Sequence, residues 1–250
     1  MFSDFNHEIL DRVAHRPWPM PERPWVMTQT WHDLLFAHWP IEARQLVSKI
    51  PPEFPLDLYD GVAWIAVVPF RMSNVGPRAA PPVPTASAFP ELNVRTYVTV
   101  DGKPGVYFFS LDAASAIAVA AARALFNLPY YRAAMSLVRH GREIEFASTR
   151  RDGGAELAAR YGPAGEAFEP RAGSLEYFLT ERYCLYNKSR RGTPYRLEIH
   201  HPPWALHVAR GQLVRNTMVQ ASGLALPTQS PLLHFVERQD VVAWLPDAVA

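Results

Sequence analysis

The sequence predicts an α+β chain dominated by antiparallel sheet, and three observations predict it. From Glu143 onward short strand-like runs (IEFASTR, RYCLYN, YRLEIHH, WALHVARGQLV) recur with turn signals between them, which is the pattern of a sandwich or barrel and not of an alternating βαβ fold. GVAWIAVVPF, residues 61–70, is a continuous apolar run of strand length, the mark of a strand buried on both faces. ELNVRTYVTV, residues 91–100, turns at Asp101-Gly102 into VYFFSL and an Ala-rich helix. A chain of 250 residues, 48% hydrophobic, is long enough to bury one large core of this kind.

Taken in order, residues 1–24 end in RPWPMPERPW, whose prolines deny regular hydrogen bonding and predict an extended arm packed on the body. Residues 25–250 are expected to form a single domain. From Trp25 to Trp39 β-branched and aromatic residues mix, giving a strand or short helix; EARQLVSKI then has helical spacing before Pro51 and Pro52 stop it. Between Met72 and Pro90 lie Pro77, Pro81, Pro82 and Pro84, a loop too long for a simple connector and expected to cover a pocket. On the next strand, alternation sets Leu92, Val94, Thr96 and Val98 on one face and Glu91, Asn93, Arg95 and Tyr97 on the other. Ser110 or Asp112 is positioned to cap the Ala-rich helix, which ends near Asn127 and Pro129. Residues 152–165 read as a polar loop, and LLHFVER with VVAWLP as a pair joined across Gln239-Asp240.

A net charge of +1 supplies no field that would gather nucleic acid or an anionic membrane surface. No apolar stretch approaches the roughly 18 residues of a membrane span. The single Cys184 excludes an intramolecular disulfide, no signal-peptide pattern is visible, and a cytoplasmic setting is expected. There is no HExxH, no paired-Cys motif, no GxSxG elbow, no Walker loop and no GxGxxG, so neither a metal nor a cofactor is expected. Adjacent His200 and His201 cannot both face one ion from a strand.

Three constellations could carry chemistry. The polar face of Glu91, Asn93, Arg95 and Tyr97 could meet a substrate, or could be a solvent-facing edge in which Arg95 pairs with a carboxylate. Tyr130, Tyr131 and Arg132 offer phenols that can hydrogen-bond a carbonyl and a guanidinium that can grip a carboxylate; aromatic packing is the alternative for the tyrosines. In LTERYCLYN and YRLEIHH, Glu181 and Tyr183 share one strand face, and His200 could be a general base or a packed ring with satisfied nitrogens. Cys184, in an apolar run, reads as buried and inert.

The stretch ELNVRTYVTVDGKPGVYFFSLDAASAIAVAAARALFNLPYYRAAM resembles the core of acetoacetate decarboxylase, where a Pro-Lys-Lys segment carries the catalytic amine. WHDLLFAHW, FPELNVRTYV, GVYFFSLDAAS, LPYYRA and LTERYCLY together resemble the DUF2071 or YqjF-like family of uncharacterised bacterial proteins, placed near acetoacetate decarboxylase by fold. The resemblance implies a cone-shaped barrel with a central cavity and a few flanking helices, and an active-site glutamate at Glu91. It also implies that the Schiff-base lysine is gone, since Pro129 is followed by Tyr130, Tyr131 and Arg132, so decarboxylation through an imine is not expected. The only lysines are Lys49, Lys103 and Lys188, and bringing any of them to neutrality at pH 7 needs a perturbation of about 4–5 kcal/mol.

The resulting expectation is a pocket for a small keto or carboxylate compound, with Glu91, His200 and Tyr131 as catalytic groups. Arg95, Arg132, Asn93, Tyr97, Tyr130, Glu181 and Tyr183 would be its contacts. An enzyme would use them for enolisation, dehydration or hydration without covalent attachment; a metabolite binder would use the same pocket with no reaction. Exposed Trp18, Trp25 and Trp204 could additionally support a homo-oligomer.

Overall fold

A computed structural model describes residues 4–78 and 87–249. In chain order the strands and helices are β1 (Met27–Ile41), α1 (Ala43–Val47), β2 (Ala63–Pro77), β3 (Phe89–Val100), β4 (Lys103–Ala113), α2 (Ala116–Phe126), β5 (Tyr130–His140), β6 (Glu143–Arg150), β7 (Glu156–Pro163), α3 (Leu175–Thr180), β8 (Cys184–Lys188), β9 (Pro194–His200), β10 (His207–Asn216), α4 (Met218–Ala221), β11 (Leu232–Ala243) and β12 (Asp247–Ala248).

The strands hydrogen-bond in the order β12-β9-β8-β4-β3-β2-β1-β11-β10-β7-β6-β5, with two further pairings that close it on itself. Pairing of β5 with β4 closes a nine-strand barrel, and pairing of β9 with β11 closes a seven-strand ring through β8. The two rings share a wall of five strands, β4-β3-β2-β1-β11. A shared wall is buried on both faces, which is why β2 and β3 carry near-continuous buried runs. Period-two alternation then divides their side chains: Leu35, Ala37, Val67, Leu92 and Val94 enter the core of the nine-strand barrel, while Leu34, Phe36, Ala66, Val68 and Phe70 face the seven-strand ring.

Two irregularities re-aim residues toward the seven-strand ring. Asp33, at φ 53°, sits inside a register shift of β1, so Trp31 lies on the same side as Leu34 and Phe36. In β4 the register steps from Val94↔Ser110 to Arg95↔Phe108, which puts Phe108 and Leu111 on one side.

Several elements differ from expectation. β2 continues to Pro77, so 72–77 is strand and not loop, while Pro81, Pro82 and Pro84 lie outside the described residues. The cap of α2 is Ser115, whose hydroxyl accepts from the Ala118 N–H at 3.2 Å, because β4 extends through Ser110 and Asp112. The predicted polar loop contains β7, paired on both sides by β6 and β10. β11 runs unbroken through Gln239 and Asp240, because the Asp240 carboxylate accepts from Thr30 Oγ1 at 2.6 Å and from Arg238 instead of nucleating a turn. Trp204 is buried, its indole N–H donating to the Thr180 carbonyl, and Trp18 and Trp25 are half-buried, so the three do not form an exposed aromatic patch.

Residues 4–24 lie across β9 and β11. Phe5 and Ile9 pack with Val242 and Trp244, Trp18 Nε1 donates to Glu198, and Arg16 donates to the Ile199 carbonyl. No helix among the described residues is long and apolar enough to cross a membrane.

Candidate functional site

The seven-strand ring encloses a cavity of about 250 Å³. Its wall is mainly apolar, with Phe70, Phe89, Phe108 and Trp204 among the lining residues, and α2 lies along it. One face of α2 supplies Ala118, Ala122 and Phe126 at helical spacing. Of the lining residues, Ala121 and Leu125 on α2 are exposed, which places the mouth beside that helix. At the other end Thr180 and Arg182, at and just beyond the end of α3, close the cavity.

Glu91, Asn93 and Arg95 project into this space from alternate positions of β3, and each is at most 7% exposed. The Tyr130 hydroxyl donates to Glu91 Oε2 at 3.0 Å. Burial pushes the Glu91 carboxyl up to about 8; the Tyr130 hydrogen bond opposes that rise and nearby Asp112 adds to it. At neutral pH the group is therefore mostly protonated and presents an O–H to the cavity. Burial and the Glu91 carboxyl raise the Tyr130 phenol as well, so it remains a donor.

Arg95 differs from the other buried arginines. Arg150 makes a bidentate pair with Asp112, both contacts at 2.8 Å, Arg182 reaches Asp57 at 2.6 Å, and Arg16 reaches Glu198 at 3.5 Å. Arg95 has no carboxylate partner among the described residues. Its Nη2 donates to the Leu179 carbonyl at 3.4 Å, its guanidinium lies 5.1 Å from the Phe36 ring centroid, and its buried Nε has no hydrogen-bond partner. Asn93 Oδ1 is likewise buried without a partner. Buried polar groups are nearly always satisfied, so two such atoms on one cavity wall mark a place where a ligand can complete the bonding.

Tyr97 follows on the same face but does not line the cavity. It plugs the α3 end, packed with Leu179, and its hydroxyl is 2.6 Å from His38 Nε2.

Other expected site residues lie elsewhere. Neither Tyr131 nor Arg132 lines the cavity: β5 begins at Tyr130, paired with Leu111, so alternation turns Tyr131 away from the side that the Tyr130 phenol enters. Tyr131 lies beneath the Arg150 guanidinium at 3.8 Å, and Arg132 is exposed. On β9, Leu197 and Ile199 line the cavity, so alternation sends His200 to the opposite side. There its Nε2 meets the Ile9 carbonyl at 2.7 Å and burial lowers it to about 4.

Thr180 and Arg182 face inward, so Glu181 and Tyr183 also point away. Tyr183 donates to Glu181, which accepts from the Trp204 backbone N–H at 3.0 Å. These residues join His15, Arg16 and His201 in a polar cluster under the N-terminal arm. Sequence reasoning missed Arg182 and the α2 face, although the i, i+4, i+8 spacing of Ala118, Ala122 and Phe126 was readable.

None of the three lysines lines the cavity. Lys49 is exposed, Lys103 bonds Glu198 at 3.1 Å, and Lys188 bonds Glu53 at 2.6 Å. Cys184 is buried and pushed up to about 12 by that burial, so its thiol stays protonated. Among the described residues no cluster of three or more His, Cys, Asp or Glu could hold a metal ion.

Residues 28–240 match the DUF2071 family, described as an uncharacterized conserved protein. YqjF of Bacillus subtilis, an uncharacterized protein, is 45% identical over 237 residues, covering 94% of this chain and 98% of that protein. The chain belongs to the DUF2071 family. Among solved structures, acetoacetate decarboxylase from Legionella pneumophila aligns with a TM-score of 0.62 at 13% identity, covering 100% of this chain and 98% of the other. The enduracididine biosynthesis enzyme MppR complexed with pyruvate aligns with a TM-score of 0.63 at 9% identity, covering 95% and 93%. At these identities the likeness is one of fold, and the fold is acetoacetate decarboxylase-like.

Proposed function

We propose that this DUF2071 protein binds a small keto or carboxylate compound in the seven-strand ring and exchanges a proton with it through Glu91, without covalent attachment. The observation that carries the reading is Arg95, a buried guanidinium with no carboxylate partner among the described residues and an unsatisfied Nε, facing a mainly apolar cavity beside a carboxyl held neutral by burial. A ligand carboxylate would supply the missing anion. A ligand carbonyl would accept the Glu91 proton, and the Tyr130 hydroxyl on Oε2 would stabilise the carboxylate left behind. That carboxylate can then take a proton from the carbon next to the carbonyl, so one group serves both directions of a keto–enol exchange; hydration and dehydration use the same donor. Support comes also from MppR, whose structures include complexes with pyruvate and with a pyruvate condensation product, although likeness of fold alone joins it to this chain. The single buried cysteine fits a cytoplasmic setting.

A second reading, a metabolite binder with no reaction, is favoured by the withdrawal of His200 from the cavity: among the described residues Glu91 is then the one proton-transfer candidate of the expected Glu91–His200 pair that lines it. Exchange of the C3 protons of 2-oxobutyrate in deuterated water, followed by proton NMR, separates the two. Catalysed exchange that Glu91→Gln abolishes while binding persists supports the enzyme. Binding with no catalysed exchange supports the binder, and no binding of any keto acid or carboxylate refutes both.

A further inference from the structure

The cavity is strongly asymmetric. Its charged groups lie on β3 and at the neighbouring α3 end; away from these, Tyr130 beside Glu91, Gln29 of β1 and the Cys184 thiol are the polar side chains, and the remaining wall, out to the mouth at Ala121 and Leu125, is hydrocarbon or aromatic ring. From Glu91 through Asn93 to Arg95 is four residue steps of β3, about 13 Å at strand rise, so the cavity is longer than a two- or three-carbon acid. Arg182 also reaches the cavity, but Asp57 at 2.6 Å takes up its charge. Among the described residues the free positive charge on the cavity is therefore that of one planar guanidinium, which matches one carboxylate in geometry and charge and leaves a phosphate dianion undercompensated. A short hydrophilic acid would satisfy Arg95 and leave most of the wall unfilled. A volume of about 250 Å³, just below the common pocket range of about 300–1000 Å³, limits how long an apolar extension can be.

We propose that the ligand is an amphiphilic monocarboxylate, its head on Arg95 and Asn93 at the α3 end and a medium-length aliphatic or aryl tail lying along Phe70, Phe89 and Phe108 toward Ala118, Ala122 and Phe126 of α2. The inference rests on the ligand-site reading above and narrows it to a substrate class. The Glu91–Tyr130 pair, farther along β3 than the Asn93–Arg95 head site, then meets the ligand partway along its tail.

Calorimetric titration of the full chain with linear monocarboxylates from butyrate to dodecanoate tests this, with pyruvate and 2-oxobutyrate as short keto acids and octan-1-ol as the headless control. Affinity should rise about fourfold per methylene through the middle of the series and fall once the tail outgrows the cavity. Octanoate should bind at least tenfold more tightly than octan-1-ol to the unaltered protein, and Arg95→Met should erase that difference. Ala122→Phe should move the optimum to a shorter tail. Because the octanoate and octanol comparison needs no variant, a poorly folding Arg95→Met protein leaves the test intact. Short keto acids binding as tightly as any long acid, with no dependence on length, would overturn the amphiphile and leave the pocket reading standing. Binding of neither set would overturn both.

Discussion

Replacing Glu91 by Gln tests the electrostatic state of the cavity with little change of shape, since the amide oxygen can still accept from the Tyr130 hydroxyl. The folded carboxyl titrates at about 8 against an ordinary 4.5, chiefly because burial disfavours its charged form. The folded protein therefore binds the proton more tightly than the unfolded chain. Stability from this group is fully present below about pH 4.5 and is lost as pH rises through about 8. At about 1.36 kcal/mol per pH unit, the full loss across that window is on the order of 5 kcal/mol. Asp112, the other acid acting on Glu91, titrates in both proteins and cancels in the comparison. Urea unfolding at intervals from pH 5 to 9 measures the difference. The wild type should weaken relative to Glu91→Gln by several kcal/mol as pH rises, with the curves converging toward a constant difference above pH 8. Parallel curves from pH 5 to 9 would show that Glu91 is not held neutral, and proton donation at pH 7 would fall with it.

Other expectations follow from the same geometry. Borohydride added with pyruvate or acetoacetate should leave the intact mass unchanged, because no lysine lines the cavity; a reduced adduct on any lysine would contradict the non-covalent chemistry. Gly105→Ala should destabilise by about 1–3 kcal/mol in urea, since its Cβ would sit 2.7 Å from Cys184 Sγ and 2.8 Å from the Cys184 carbonyl where β4 meets β8; no change would mean that this seam is loose. Arg150→Leu should cost about 3–5 kcal/mol, because it leaves Asp112, fully buried, without its bidentate partner.

The part of the site on β3 was legible because alternation is a local property: once the flanking strands read as buried, a face of Glu91, Asn93 and Arg95 had to be either a seam or a site. Alternation says which residues share a face and is silent on what that face meets. Glu181 with Tyr183, and His200, were grouped on faces by that rule, yet they meet the N-terminal arm while their neighbours Arg182 and Ile199 meet the cavity. The choice between Tyr130 and Tyr131 depends on the parallel pairing of β5 with β4, a contact between segments joined through α2, and no local pattern encodes it. The bulges at Asp33 and before Arg95 shift phase for the same long-range reason. β7 was missed because ELAARYGP has the composition of a polar helix or loop, and its strand conformation comes from the ladders on either side. The barrel itself was predicted from resemblance together with strand spacing; the two rings with one common wall emerge only from the pairings.

The most direct measurement is of the Arg95 guanidinium itself. In nitrogen-15 NMR spectra its Nε–H signal can be assigned by its loss in Arg95→Lys and followed during titration with octanoate. A carboxylate seated on the fork should shift that signal in proportion to saturation while the Arg150 and Arg182 signals, already paired, stay in place. Saturable octanoate binding that leaves the Arg95 signal unmoved would contradict the claim that an unpaired guanidinium on the cavity wall is what the ligand completes.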